Sequence, residues 1–327
     1  MRVFIKFLLT LLLALGTWSY WWINHDLDLS GPTLDLSIEP GTTPRGVAQL
    51  SVDSGVQTSA TLLYWWFRLS GQARMIKAGS YELEAGLTPY KLLSKLTRGE
   101  ESLRSVTLVE GWTFRQVRAA LLKEEQLRPD SKGLDDAAIM EKLGQSGRPP
   151  EGRFYPDTYT YAKGSSDLKL LLRANHAMNK HLAQAWQART ADSPLKTPDD
   201  LLVLASIVEK ETGQANDRAM IASVFSNRLR LGMMLQTDPT VIYGLGERFD
   251  GNLRRRDLLS DTPWNTYTRA GLPPTPIAMP GKAALIAAAQ PATSRALYFV
   301  ARGDGSSQFS DNLDAHNRAV NKYQRGQ

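Results

Sequence analysis

The sequence predicts an α+β protein behind one N-terminal membrane-spanning helix. Three observations predict it: an unbroken apolar run opens the chain, short alternating patterns precede amphipathic helices, and stretches of 3.6-residue period fill the C-terminal half. At 327 residues, with 42% hydrophobic and 22% charged side chains, there is room for two or three domains and a sizeable core. Net charge is +6, but Lys and Arg are dispersed. Only Arg254-Arg255-Arg256 forms a run, and it reads as a solvated loop. The balance suits an acidic polymer or an anionic membrane surface, and no nucleic-acid partner is expected. The chain has no cysteine, which excludes disulfides, a thiolate nucleophile and a lipidated N-terminal cysteine. His25, His176, His181 and His316 show no metal-binding spacing. No Gly-rich phosphate loop is present, so neither metal nor cofactor is expected.

The first element is the run from about Phe4 to Ile23, near the ~20 residues a spanning helix needs. Arg2 and Lys6 precede it, and Trp18, Tyr20, Trp21 and Trp22 form an aromatic belt at its far end. A cleaved signal peptide, with Ala14-Leu15-Gly16 as a weak site, is the alternative. A retained anchor (residues 1–24) fits better, with the N-terminus cytoplasmic and the rest of the chain outside the cytoplasmic membrane. A linker covers 25–35.

Next, one pattern recurs three times, at 37–50, 82–96 and 107–121: an alternating stretch, an acid, Gly, a Thr two positions later, then an amphipathic helix. It reads as strand, tight turn, N-cap and helix, with Thr43, Thr88 and Thr113 as caps and Pro44 and Pro89 as first helical residues. The region 36–104 resembles LysM-like carbohydrate-binding modules. Between its first two units "TSATLLYWWFRLSG" (58–71) is an apolar helix in which Trp65 and Trp66 are either core or sugar platforms. Residues 105–195 form an intermediate α+β region. It includes "EGRFYPDTYTYAKGSS" (151–166), an aromatic loop or short strand, and a long helix near 167–189. Residues 190–200 read as a linker into a last domain, 196–327.

That domain opens on a helix begun by Thr197-Pro198-Asp199-Asp200 and ended by Gly213. On a wheel at about 100° per residue from Leu201, Glu211 falls near 280°, between Leu204 and Ile207, whereas Glu209 falls near 80° at the edge of the arc. Glu211 is therefore the carboxylate on the apolar stripe. Burial would raise its pKa, as a general acid requires. It could equally serve only to bond a neighbouring loop. Downstream come a helix near 216–233, a helix start at Asp238-Pro239, a long Pro- and Gly-rich segment at 261–281, and a hairpin turning at Gly303-Asp304-Gly305 before a final helix.

The stretches "ASIVEKET", "ASVFSNRLRLGMMLQTDPTVIYGLG", "WNTY", "GLPP", "YFV", "EGRFYPDTY" and the C-terminal "F…NL..HN" resemble the endolytic murein transglycosylases, or YceG-like proteins, over essentially the whole chain. The resemblance implies an inner-membrane anchor, a LysM-like subdomain and a C-terminal mixed α/β lytic transglycosylase domain. It also implies cleavage of the β-1,4 bond between N-acetylmuramic acid and N-acetylglucosamine with formation of 1,6-anhydro ends. It places the catalytic Glu in Glu209-Lys210-Glu211-Thr212, and a Glu followed by Thr selects Glu211. Trp264 stands where a relative can carry Tyr. By location, Gln236, Thr237, Asp238, Trp264, Asn265 and Tyr267 are candidates to hold the sugar. The expected partners are peptidoglycan glycan strands, peptidoglycan synthases, and the membrane through the N-terminal helix. Two rivals remain: a hydrolase with Asp238 or Glu247 as base, and an anchored glycan-binding scaffold without chemistry.

Overall fold

The computed structural model describes residues 2–211 and 214–326. The helix stop expected at Gly213 and the Thr212 of the Glu-Thr pair lie outside the described residues. The protein is mixed helix and sheet, and its chain divides into two compact units, Met1–Arg104 with Thr160–Ser165, and Ser105–Tyr159 with Ser166–Gln327.

The first unit begins with α1 (Arg2–Asn24). Among the described residues this is the one helix long and apolar enough to cross a membrane, with mean hydropathy 1.7 over Val3–Asn24. There follow β1 (Asp28–Leu29), β2 (Thr33–Ile38), α2 (Pro44–Asp53), β3 (Val56–Gln57), α3 (Ala60–Leu69), β4 (Gly79–Glu84) and α4 (Pro89–Arg98). Strands β2 and β4 pair antiparallel with Leu36 opposite Tyr81, and β1 pairs antiparallel with β3. Leu36, Tyr81, Leu83, Leu63, Phe67, Leu92 and Leu96 form the unit's core.

The second unit carries α5 (Phe114–Lys123), α6 (Asp136–Lys142), α7 (Asp167–Gln187), α8 (Pro198–Glu211), α9 (Ala215–Arg230), α10 (Asp238–Leu245), α11 (Arg255–Leu259), α12 (Lys282–Ala289), β7 (Tyr298–Ala301), β8 (Ser307–Ser310) and α13 (Leu313–Gln324). Strands β5 (Leu103–Thr107) and β6 (Thr158–Ala162) run across the boundaries of the two units. Its core joins Met178 and Leu182 of α7 to α8, α9 and α12, so residues 167–187 share one core with 198–289.

The three repeated turns form as local chemistry dictates. Gly41, Gly86 and Gly111 have φ of 87°, 82° and 77°, which only glycine adopts cheaply. Two residues on, Thr43, Thr88 and Thr113 accept hydrogen bonds from the backbone N–H of Gly46, Lys91 and Gln116. Of the two tryptophans on α3, Trp66 is half-buried with its indole N–H on the Pro89 carbonyl, and Trp65 is exposed.

Candidate active site

Helix α8 starts with a reciprocal cap. Thr197 Oγ1 accepts from the Asp200 N–H, and the Asp200 carboxylate accepts from the Thr197 N–H. Every residue from Leu201 to Val208 is buried. The helix is therefore surrounded by protein for two turns rather than buried along one stripe. It emerges only in its last turn, where both glutamates sit. Glu209 is half-buried and accepts the Gly281 N–H at 2.9 Å. A Cβ at position 281 would meet the carboxylate of the exposed Glu110, which would have to swing aside. Burial raises the Glu209 pKa first, and the charge of Glu110 adds to the effect.

Glu211, the final residue of α8, turns to a different wall. The Thr237 hydroxyl donates to its carboxylate. Burial raises the Glu211 pKa most strongly, the Thr237 bond opposes it, and the Asp238 charge adds to it. The C-terminal end of a helix, where backbone carbonyls converge, also disfavours a second negative charge.

The strap that presents Thr237 is built by Thr266. Its Oγ1 accepts the Thr237 N–H at 3.1 Å, its carbonyl accepts the Gln236 N–H at 3.0 Å, and its hydroxyl lies 2.8 Å from that of Thr240. The Thr240 hydroxyl in turn donates to the Thr237 carbonyl at 2.7 Å. Arg228, buried on α9, holds the other end. It donates to the carbonyls of Leu235 (2.9 Å), Met234 (3.2 Å) and Leu297 (2.7 Å), with its guanidinium 5.1 Å from the Tyr298 ring centre. Gln236 takes φ 49° within this strap. A non-glycine residue there stores on the order of 1–3 kcal/mol of strain, which persists only where the surroundings hold it. Its side chain is exposed.

The sequence candidates therefore separate. Glu211, Thr237, Asp238 and Tyr267 form one connected set, with the Tyr267 hydroxyl donating to Asp238 at 2.6 Å. Burial, then Asp238 and Glu211, push the Tyr267 phenol up, so it stays a donor at neutral pH. Gln236 borders this set with its amide facing solvent.

The other two candidates hold the frame. Asn265 is fully buried; its amide donates to the carbonyls of Leu258 (3.0 Å) and Ser260 (2.7 Å), and its oxygen accepts the Tyr267 N–H at 2.8 Å. Trp264 packs edge-on to Tyr243 at 5.5 Å and donates to Thr275 Oγ1 at 2.9 Å. Glu247 is 83% exposed and paired with Arg115 at 2.8 Å. Sequence reasoning did not single out Thr266, Arg228 or Thr240. It also passed over Glu151, a 6%-exposed acid that accepts the Phe114 N–H and the Tyr243 hydroxyl. Their partners are remote in the chain, and no local pattern marks them.

Fold and site define a two-unit α+β protein in which a carboxyl whose pKa is raised by burial closes a core helix beside a pinned polar strap. The family model for the YceG-like family matches residues 36–322, and the chain belongs to that family. It is 30% identical over 311 residues to the endolytic murein transglycosylase of Bacillus subtilis, covering 90% of this chain and 86% of that one. It is 29% identical over 278 residues to that of Streptococcus pneumoniae, covering 75% of this chain but half of the relative. A crystal structure of a YceG-like protein from Listeria monocytogenes superposes with a TM-score of 0.56 at 30% identity, covering 88% of this chain and 98% of that one.

Proposed function

We propose that the protein is an endolytic murein lyase in which Glu211 acts first as acid and then as base. Protonated Glu211 gives its proton to the glycosidic oxygen as the C1–O bond breaks. The resulting carboxylate then takes the proton of the muramic acid 6-hydroxyl, whose oxygen closes on C1 to leave a 1,6-anhydro end. No water is consumed, and the intramolecular nucleophile needs no second carboxylate. The observation that carries this reading is the Glu211 carboxyl itself, its pKa raised by burial and its oxygen held by the Thr237 hydroxyl. Asp238, anchored by Tyr267, supplies negative charge for the developing cation at C1. The exposed amide of Gln236 is offered to the glycan.

The finer assignments belong to the same proposal. The antiparallel β2–β4 pair, with α2, the short β3 and α3 between its strands, supports a LysM-like reading of the first unit as a glycan contact. Helix α1 supports a single-pass anchor in the cytoplasmic membrane, with both units outside it. An anchored strand-cleaving enzyme would act on nascent glycan beside peptidoglycan synthases and end strand elongation.

The test is digestion of murein by the purified protein and its Glu211→Gln variant, with products read by mass spectrometry. Anhydro ends from the parent and none from the variant are expected. Hydrolysed ends, heavier by one water, would reassign the site to a two-carboxylate hydrolase. Anhydro ends from the variant at the parent rate would remove Glu211 from the chemistry.

A further inference from the structure

We propose that the exposed face of α3 is a second membrane contact, which docks the first unit onto the headgroup layer of an anionic bilayer. This rests on reading α1 as a membrane-spanning anchor.

Leu62, Trp65 and Leu69 are 36%, 49% and 79% exposed. Their spacing of three and four residues places them on one helix face, away from the buried Leu63 and Phe67. A soluble unit gains nothing by leaving such a stripe in water, whereas large apolar side chains on one face suit an interface. Trp66 lies at the edge of this stripe, and its indole N–H reaches the Pro89 carbonyl at 3.0 Å.

The same end of the unit receives the chain from α1. Two residues, His25 and Asp26, separate the last residue of α1 from Leu27, whose N–H donates to the Leu87 carbonyl at 2.7 Å. Trp22 of α1 packs against the unit's core, and α1 touches α4. Leu87 and Pro89 bracket the Thr88 cap at the start of α4. The start of α4 therefore ties together the exit of the anchor and the side of α3 that bears the stripe. Tyr90, 54% exposed, adds an aromatic there. With no free linker, this end of the unit is held at the bilayer surface, where Trp and Tyr partition between chain and headgroup regions. The other end of α4, at Arg98–Glu100, stands about 15 Å further along the helix.

Charge favours an anionic surface. Arg45 stacks 4.9 Å from the Tyr64 ring centre, and Arg68 donates to the Tyr64 hydroxyl at 3.3 Å. Lys91 donates to the Gly86 carbonyl at 2.7 Å. Among the described residues, none of these three cations is in an ion pair with a carboxylate. Their stems can lie along the apolar face while their heads meet lipid phosphates.

The absence of cysteine allows a direct test. The full chain carrying Leu69→Cys, Leu12→Cys or Glu100→Cys is spin-labelled and reconstituted in phosphatidylethanolamine–phosphatidylglycerol bilayers. Collision rates with oxygen, which concentrates in lipid, and with an aqueous nickel chelate are then compared. The expected result is an oxygen-to-nickel ratio at position 69 several-fold above that at 100 and approaching that at 12. A ratio at 69 equal to that at 100, with 12 lipid-buried, overturns the contact and leaves the anchor standing. A label at 12 in water overturns both. A ratio at 69 unchanged in purely zwitterionic bilayers overturns the role given to the cations.

Discussion

Replacing Glu151 by Gln should remove a pH-dependent instability from the second unit. Glu151 is 6% exposed, and burial raises its pKa from 4.5 to about 7 against the opposing hydrogen bonds from the Phe114 N–H and the Tyr243 hydroxyl. A pKa higher in the folded than in the unfolded protein means that the folded state holds the proton more tightly. The stabilisation is complete below pH 4.5 and is lost as pH rises through about 7. The difference of about 2.5, at about 1.4 kcal/mol per pH unit, comes to about 3 kcal/mol. Gln keeps the shape, its oxygen can still accept the Phe114 N–H, and Tyr243 can turn its hydroxyl to Thr275, which already bonds it. The assay is thermal unfolding of parent and variant at pH 4 to 8.5. A domain of this size shifts about 2–4 °C per kcal/mol. The parent should therefore lose about 6–12 °C more than Glu151→Gln across that range. Other raised carboxyls, Glu209 and Glu211, titrate in both proteins and cancel in the comparison. Equal pH slopes for the two proteins would refute the reasoning, because a carboxyl buried this deeply could not then be changing charge in the folded state.

Four more outcomes can be checked. Glu211→Gln should lower kcat on murein by about 10²- to 10⁴-fold with an unchanged circular-dichroism spectrum. Thr237→Val removes the bond that lowers the Glu211 pKa, so the alkaline limb of the kcat/KM profile should move to higher pH. With the acid no longer oriented, kcat should fall about 10- to 100-fold. Asp238→Asn removes a charge that raises the same pKa, so that limb should move to lower pH; identical shifts in the two variants would contradict the assigned causes. Asn265→Ala leaves the Leu258 and Ser260 carbonyls and the Tyr267 N–H without their partner. At about 1–3 kcal/mol per orphaned group, it should lower the melting temperature, and activity should fall with it.

Much of the scaffold is legible from local sequence. The Gly-x-Thr turns appear with left-handed glycines and working Thr caps, α8 starts at Pro198, and the turn at 303–305 closes an antiparallel hairpin. The site is legible in outline: Glu211, Thr237, Asp238 and Tyr267 come together, although 26 residues separate the first pair. The wheel that pointed to Glu211 assumed one apolar stripe, but α8 is enclosed on all sides through Val208. Enclosure by α7, α9 and α12 cannot be read from α8 alone. Location likewise suggested Trp264 and Asn265 as sugar contacts, whereas their polar atoms are committed to Thr275 and to backbone at the end of α11.

Caps, turn glycines, the apolar run of α1 and the periodicity of the helices were determined by the sequence by itself, because each depends on groups within a few residues of one another. The tertiary structure alone decided which carboxyls have their pKa raised. Burial raises Glu211, Glu209 and Glu151, the charges of Asp238 and Glu110 add to it at Glu211 and Glu209, and the donors Thr237, Phe114 and Tyr243 oppose it at Glu211 and Glu151; packing rather than sequence proximity brings these groups near.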